Sequence, residues 1–166
     1  ADQYCRWAYP EIESAFYDLV ARLDANPVSF KTVNPLTGDS FDMLLHGETF
    51  VSIVFQSLYV TEFIPLVPTL IFATQEGAYD LIRLVAGAGL SQEEYVSHGM
   101  HYSVQCGEEV QFTNPEEIAA ASDAYPRLRQ YFDNHIMFAV CNSWGAREAD
   151  PMENLPVSSR IPTLVL

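Results

Sequence analysis

Val28-Ser29-Phe30-Lys31-Thr32-Val33, Asn34-Pro35-Leu36-Thr37-Gly38-Asp39 and Phe41-Asp42-Met43-Leu44-Leu45 follow one another and decide the architecture. The first run alternates and is rich in β-branched and aromatic residues, which suits a strand. The second is turn chemistry, with Asn-Pro at one end and Gly-Asp at the other. The third returns to a strand pattern. Residues 28–45 therefore predict a β-hairpin.

Outward from the hairpin, the spacing turns helical. Upstream, Tyr9-Pro10-Glu11 predicts a helix start, because proline and acidic residues suit a first turn. Ile12, Phe16, Leu19, Val20 and Leu23 then fall on one face, and Asn26-Pro27 ends it. Downstream, Thr49 to Tyr59 predicts a helix with Phe50, Val54, Phe55 and Leu58 facing the core. Thr61 to Thr74 predicts another, starting near Pro65. Tyr79 to Ala86 predicts a third, closed by Gly87-Ala88-Gly89. Ser91-Gln92-Glu93-Glu94 resembles a capping box that starts a new helix. His101 to Cys106 predicts a short strand. Asn114-Pro115 predicts a helix through Ala121, and Tyr125 to Val140 another. Cys141 to Arg160 predicts a loop, and Ile161 to Leu166 a last strand. The expected class is mainly α, with a small hairpin and one orphan strand.

Composition narrows the function. The chain has 166 residues, the length of one ordinary domain. Hydrophobic residues make up 49%, too many for a disordered chain. Eight Lys and Arg against 22 Asp and Glu give a net charge of -14. That speaks against nucleic acid, whose phosphates need clustered cations, and against an anionic membrane surface. The apolar region from Phe50 to Ala73 is broken by Gln56, Glu62, Pro65 and Pro68, so it predicts no membrane span. Three cysteines, Cys5, Cys106 and Cys141, leave an odd one over. They fit either buried thiols or an oxidising compartment. The apolar end, Ile161 to Leu166, fits a strand docked on a sheet edge or the end of a piece cut from a longer protein.

Catalytic patterns are weak. His98-Gly99-Met100-His101, with Glu93 and Glu94 nearby, has two imidazoles in reach of each other, but lacks the glutamate and four-residue step of the helical zinc motif. The expected metal and cofactor content is none. His46 and His135 read as isolated structural residues. No serine sits in a G-x-S-x-G elbow; Ser97 and Ser143 have glycine only after them, and Ser91 only before. No phosphate loop is present.

Four segments taken in order carry a resemblance. They are Asp2-Gln3-Tyr4-Cys5 with Tyr9-Pro10, Cys106-Gly107-Glu108-Glu109, Cys141-Asn142-Ser143-Trp144, and Pro156-Val157-Ser158-Ser159-Arg160-Ile161-Pro162-Thr163-Leu164-Val165-Leu166. Together they resemble the tripeptidyl-aminopeptidase-like branch of the α/β-hydrolases, relatives of proline iminopeptidases. The resemblance implies a helical lid over residues 1–160 and a fragment of a hydrolase core strand over 161–166. It implies that the nucleophilic serine lies before this region and the aspartate and histidine after it. No catalytic residue is then carried here, and the main partner is a hydrolase core. The parent would be a serine hydrolase, secreted or periplasmic, taking a peptide or small molecule and cleaving N-terminal residues.

The same resemblance implies a disulfide between Cys106 and Cys141, with Cys5 left over. It assigns Glu108 and Glu109 as anchors for a substrate ammonium group. Tyr102, Phe112, Tyr131 and Trp144 become apolar walls of the substrate pocket. A lid with an apolar underside and an orphan strand is also expected to self-associate as a homodimer. The competing class is a freestanding helical module for ligand binding or protein interaction, using the same apolar faces.

Overall fold

The computed structural model describes residues 3–93, 96–131, 135–158, 160 and 161. It divides into two compact units, residues 1–96 and 97–166. Both are mainly helical, and the hairpin lies in the first.

The first unit opens with α1 (Gln3–Ala8) and α2 (Ile12–Ala25). The helix expected from Tyr9-Pro10 starts two residues later. Glu11 adopts a left-handed φ of 48°, which no helix can propagate, and so separates α1 from α2. Strand β1 (Val28–Val33) pairs antiparallel with β2 (Ser40–Leu45), Val28 opposite Leu45 and Val33 opposite Ser40. Then come α3 (Gly47–Ser57), a 3₁₀ turn (Ile64–Leu66), α4 (Val67–Gln75) and α5 (Asp80–Glu93).

The hairpin turn is organised by Asn34, which is buried. Its Oδ1 accepts from the amides of Leu36 at 2.9 Å and Thr37 at 3.3 Å. Its own amide donates to the Asp39 carbonyl, and its carbonyl accepts from Gly38. Gly38 has a φ of 79°, a conformation glycine takes without strain. Removing the side-chain acceptor with Asn34→Ala should lower stability by about 1–3 kcal/mol. Urea denaturation measures this; a change under a few tenths of a kcal/mol would mean that the turn closes without it.

The core is built by α2, α3, α4 and α5 around one face of the hairpin. Leu19, Val20 and Leu23 of α2 are buried, as are Phe50 and Val51 of α3, Leu70 and Ile71 of α4, and Ile82 of α5. The apolar face of α3 differs from the expected one. Phe50 is fully buried, but Phe55 and Leu58 are exposed and Val51 takes their place. The Phe16 and Phe50 rings meet at 5.8 Å between centroids. Buried Ser57 and Thr74 bond back to the carbonyls of Ile53 and Leu70, so neither hydroxyl is left unsatisfied.

The last turn of α2 reaches two other helix ends. Arg22 donates to the carbonyls of Gln75 at 2.7 Å and Thr74 at 3.1 Å, at the C-terminal end of α4. Asp24 Oδ1 accepts from the Gly47 amide at 2.8 Å, at the start of α3. Any side chain at position 47 would overlap the Asp24 carboxylate.

Helix α5 corrects two expectations at once. It runs through Gly87-Ala88-Gly89 instead of stopping there, and Ser91, Gln92 and Glu93 belong to it instead of starting a new helix. Glu94 lies outside the described residues. The reason lies in packing: a methyl group on Gly87 would overlap the Val33 carbonyl of β1. Glycine there admits the helix against the strand, and the Thr32 hydroxyl donates to the Arg83 carbonyl at 2.7 Å beside it.

In the second unit, α6 (His98–Val104) passes into a five-residue π-turn, Gln105–Glu109, and a 3₁₀ turn, Val110–Phe112. The strand expected over His101 to Cys106 is therefore helical. Helix α7 (Pro115–Asp123) starts where expected, with the Asn114 side chain accepting from the Glu116 amide at 2.9 Å. A 3₁₀ turn, Arg129–Tyr131, precedes α8 (His135–Trp144). The loop expected from Cys141 thus begins only after Trp144, and it holds a 3₁₀ turn, Pro151–Asn154. The strand expected over Ile161 to Leu166 lies outside the described residues, apart from Ile161, which is exposed.

Candidate functional site

The second unit carries the side chains that the resemblance put forward for a site. Its anchor is the Cys106–Cys141 disulfide, with 5.0 Å between Cα atoms, which ties the π-turn to α8. Cys5 is an exposed free thiol on α1. A π-turn places one extra residue in the helical path and widens it. Here the widened turn exposes the Gly107 carbonyl, which accepts from the Ala149 amide at 2.9 Å and from the Gln111 side chain. A Cβ on Gly107 would sit 2.9 Å from the Arg147 carbonyl oxygen, so glycine is required for this close approach. Gly107 is buried accordingly.

Glu108 and Glu109 follow directly. Both are exposed on the π-turn. The Glu109 carbonyl accepts from the Thr113 hydroxyl at 3.0 Å. The disulfide and the Gly107 bonds hold the backbone just before them and the Thr113 hydroxyl the backbone after, while both residues are exposed.

Of the four aromatic side chains, two meet. The Tyr102 and Trp144 rings lie 5.2 Å apart, inclined at 51°. The indole nitrogen of Trp144 donates to the Ser103 hydroxyl at 3.1 Å, which fixes the ring. The turn that carries Phe112 packs against α8. Tyr131 sits on the separate Arg129–Tyr131 turn and is partly buried. Ser103, Gln111 and Ala149 escaped the sequence reading. Their signal was faint: a glycine directly after a half-cystine marks a close backbone contact.

His98 and His101 both lie on α6 and are exposed. The described residues contain no group of three or more His, Cys, Asp or Glu that could hold a metal ion. Ser97 and Ser143 lie at the start of α6 and inside α8, and the Ser143 hydroxyl donates to the Val140 carbonyl at 3.0 Å. No described helix is long and apolar enough to cross a membrane.

Several apolar side chains of this unit lie at the surface. Met100, Val104, Ile136, Met152 and Val157 are all exposed, Val157 to 92%. Cys106 is the single apolar side chain of this unit among the described residues that is buried. Comparison with protein-family models, with curated proteins and with solved structures finds no match for this chain.

Proposed function

We propose that the chain is the helical lid of a secreted serine α/β-hydrolase, an exo-acting peptidase that removes N-terminal residues. The observation that carries this reading is the Cys106–Cys141 pair, which joins two of the segments on which the resemblance rests. The exposed apolar side chains of the second unit add support, since a lid must present apolar surface to the mouth that it covers. In this reading the lid shapes access and holds the substrate, and the nucleophile, base and orienting acid belong to the hydrolase core.

Glu108 and Glu109 then receive the substrate's free α-ammonium group. A carboxylate on a clamped backbone segment suits this role, because charge-assisted contacts gain from fixed geometry. Tyr102 and Trp144 then offer a joined aromatic wall on the same unit, with Phe112 and Tyr131, on separate turns, as further apolar contacts for the substrate.

The test has two arms. The chain alone is expected to show no turnover of aminoacyl-nitroanilides or nitrophenyl esters and no labelling by a fluorophosphonate. Turnover abolished by replacing one of its own serines would overturn the lid reading. In the hydrolase that contains the chain, Glu108→Gln and Glu109→Gln should lower kcat/KM about tenfold for a free-amine peptide and leave its N-acetyl analogue unchanged. Equal effects on both substrates, or none, would reduce the lid to a steric gate.

A second reading, a freestanding ligand-binding module, is favoured by one observation, a groove in the first unit. Its chemistry can be tested without any hydrolase.

A further inference from the structure

The first unit holds an open groove of about 620 Å³ along α3 and α5. That volume is in the range of small-molecule sites. Its α3 side is mostly polar: Glu48, Thr49, Ser52 and Gln56 recur along the helix, and Ile53 is the one apolar member. The α5 side is apolar, with Val85, Ala86 and Gly89. Met43, His46 and Val96 complete the described lining.

Two features make this more than a dent between helices. First, Gly89 leaves the space open. A methyl group placed on it meets no atom within 4 Å, in contrast to Gly87 two residues earlier. Second, the charge is one-sided. His46 and Thr49 engage each other, with 3.2 Å between Nε2 and Oγ1. Glu48 is the only carboxylate or cationic side chain of Asp, Glu, Lys or Arg type in the described lining. Lys31 pairs with Asp42 at 2.8 Å, Arg83 with Asp80 at 3.3 Å, and Arg22 sits on the α4 carbonyls. The sequence between Gly89 and Val96 holds Glu93 and Glu94 and no Lys or Arg. A net charge of -14 draws cations toward the whole chain and disfavours anions.

We propose that this groove binds a small apolar molecule that carries one ammonium group, with its apolar part against Ile53, Val85, Ala86 and Gly89 and its cation beside Glu48. Burial of the apolar part supplies most of the affinity, and the carboxylate selects the charge. The binding does not depend on the lid reading, because it uses only first-unit residues and no hydrolase core.

The experiment is an NMR titration of the full chain with 2-phenylethylamine, 2-phenylethanol and 3-phenylpropanoate, which share an apolar body and differ in charge. The methyl resonances of Ile53 and Val85 should shift saturably with the amine. The alcohol should bind about fivefold more weakly, and the acid more weakly still. Glu48→Gln should bring the amine down to the level of the alcohol. Gly89→Leu should fill the groove and abolish binding of all three, with its thermal unfolding and circular dichroism checked against the parent. Ser52→Leu, on the exposed α3 side, serves as a second blocking variant should Gly89→Leu unfold. No saturable shift with the amine, equal binding of amine and acid, an unchanged Glu48→Gln affinity, or full binding by a folded blocked variant would each overturn the proposal.

Discussion

Removing the Cys106–Cys141 disulfide is expected to unfold the second unit and leave the first intact. The loop it closes spans 35 residues, and the chain-entropy model assigns such a loop about 3–4 kcal/mol. Among the described residues the second unit has little else of that size. Apart from Cys106, every buried apolar side chain among the described residues lies in the first unit. One surface ion pair of the second unit, Arg129 with Asp123, is solvated on both sides and contributes little. The disulfide also holds the π-turn, so its loss releases the Gly107 carbonyl from Ala149 as well. Hydrogen exchange read by mass spectrometry checks this on the Cys106→Ala, Cys141→Ala double variant. Peptides from 98–112 and 135–144 should lose protection, and those from α2 to α5 should keep it. Equal protection in both proteins would show that apolar packing, and not the cross-link, holds the second unit.

The second large effect separates two glycines of one helix. Gly87→Ala should lower stability by about 2 kcal/mol, and Gly89→Ala should raise it by about 0.5–1 kcal/mol. Both changes gain roughly the same helix propensity, up to about 1 kcal/mol. At Gly87 the new methyl group overlaps a strand carbonyl, Val33, so backbone must move. Overpacking of that kind costs about 1–3 kcal/mol, and the nearby Thr32 to Arg83 hydrogen bond weakens with it. At Gly89 the methyl group enters open space. Urea unfolding of the two variants side by side measures the difference. For a cooperative unit of the first unit's size each kcal/mol moves Tm by about 4–8 °C. Changes of the same sign would mean that α5 does not press on β1.

The sequence carried the hairpin and several helices plainly, and the physical reason is redundancy. Residues 28–45 combine alternation, β-branched side chains and turn residues, and all three point one way. Asn114-Pro115 likewise joins a capping side chain to a proline in the first turn. Where signals conflicted, the reading failed. Gly87 looks like a helix stop because glycine is a poor helix former, yet it serves a contact with β1 that only the tertiary fold reveals. His101 to Cys106 alternates like a strand over six residues, too few to tell the two periods apart. The ring pair of Tyr102 and Trp144 became visible only through that misread helix, since α6 and the disulfide bring Trp144 onto Ser103, 41 positions away, and onto its neighbour Tyr102. The groove of the first unit was not legible at all. His46 looked isolated, and nothing local marks Glu48 and Val85 as neighbours of one cavity.

The last turn of α2 has a consequence for how the first unit comes apart. Arg22 completes the negative end of α4, and Asp24 completes the positive end of α3. Part of each terminus is satisfied from far along the chain, since these partners lie 53 and 23 residues away. Each is also short, 11 residues in α3 and nine in α4, and marginal as an isolated helix. Fraying of either end therefore requires α2 to let go, and release of α2 opens both at once. Three helices share a single all-or-none step, and the first unit should melt cooperatively instead of peeling from an edge.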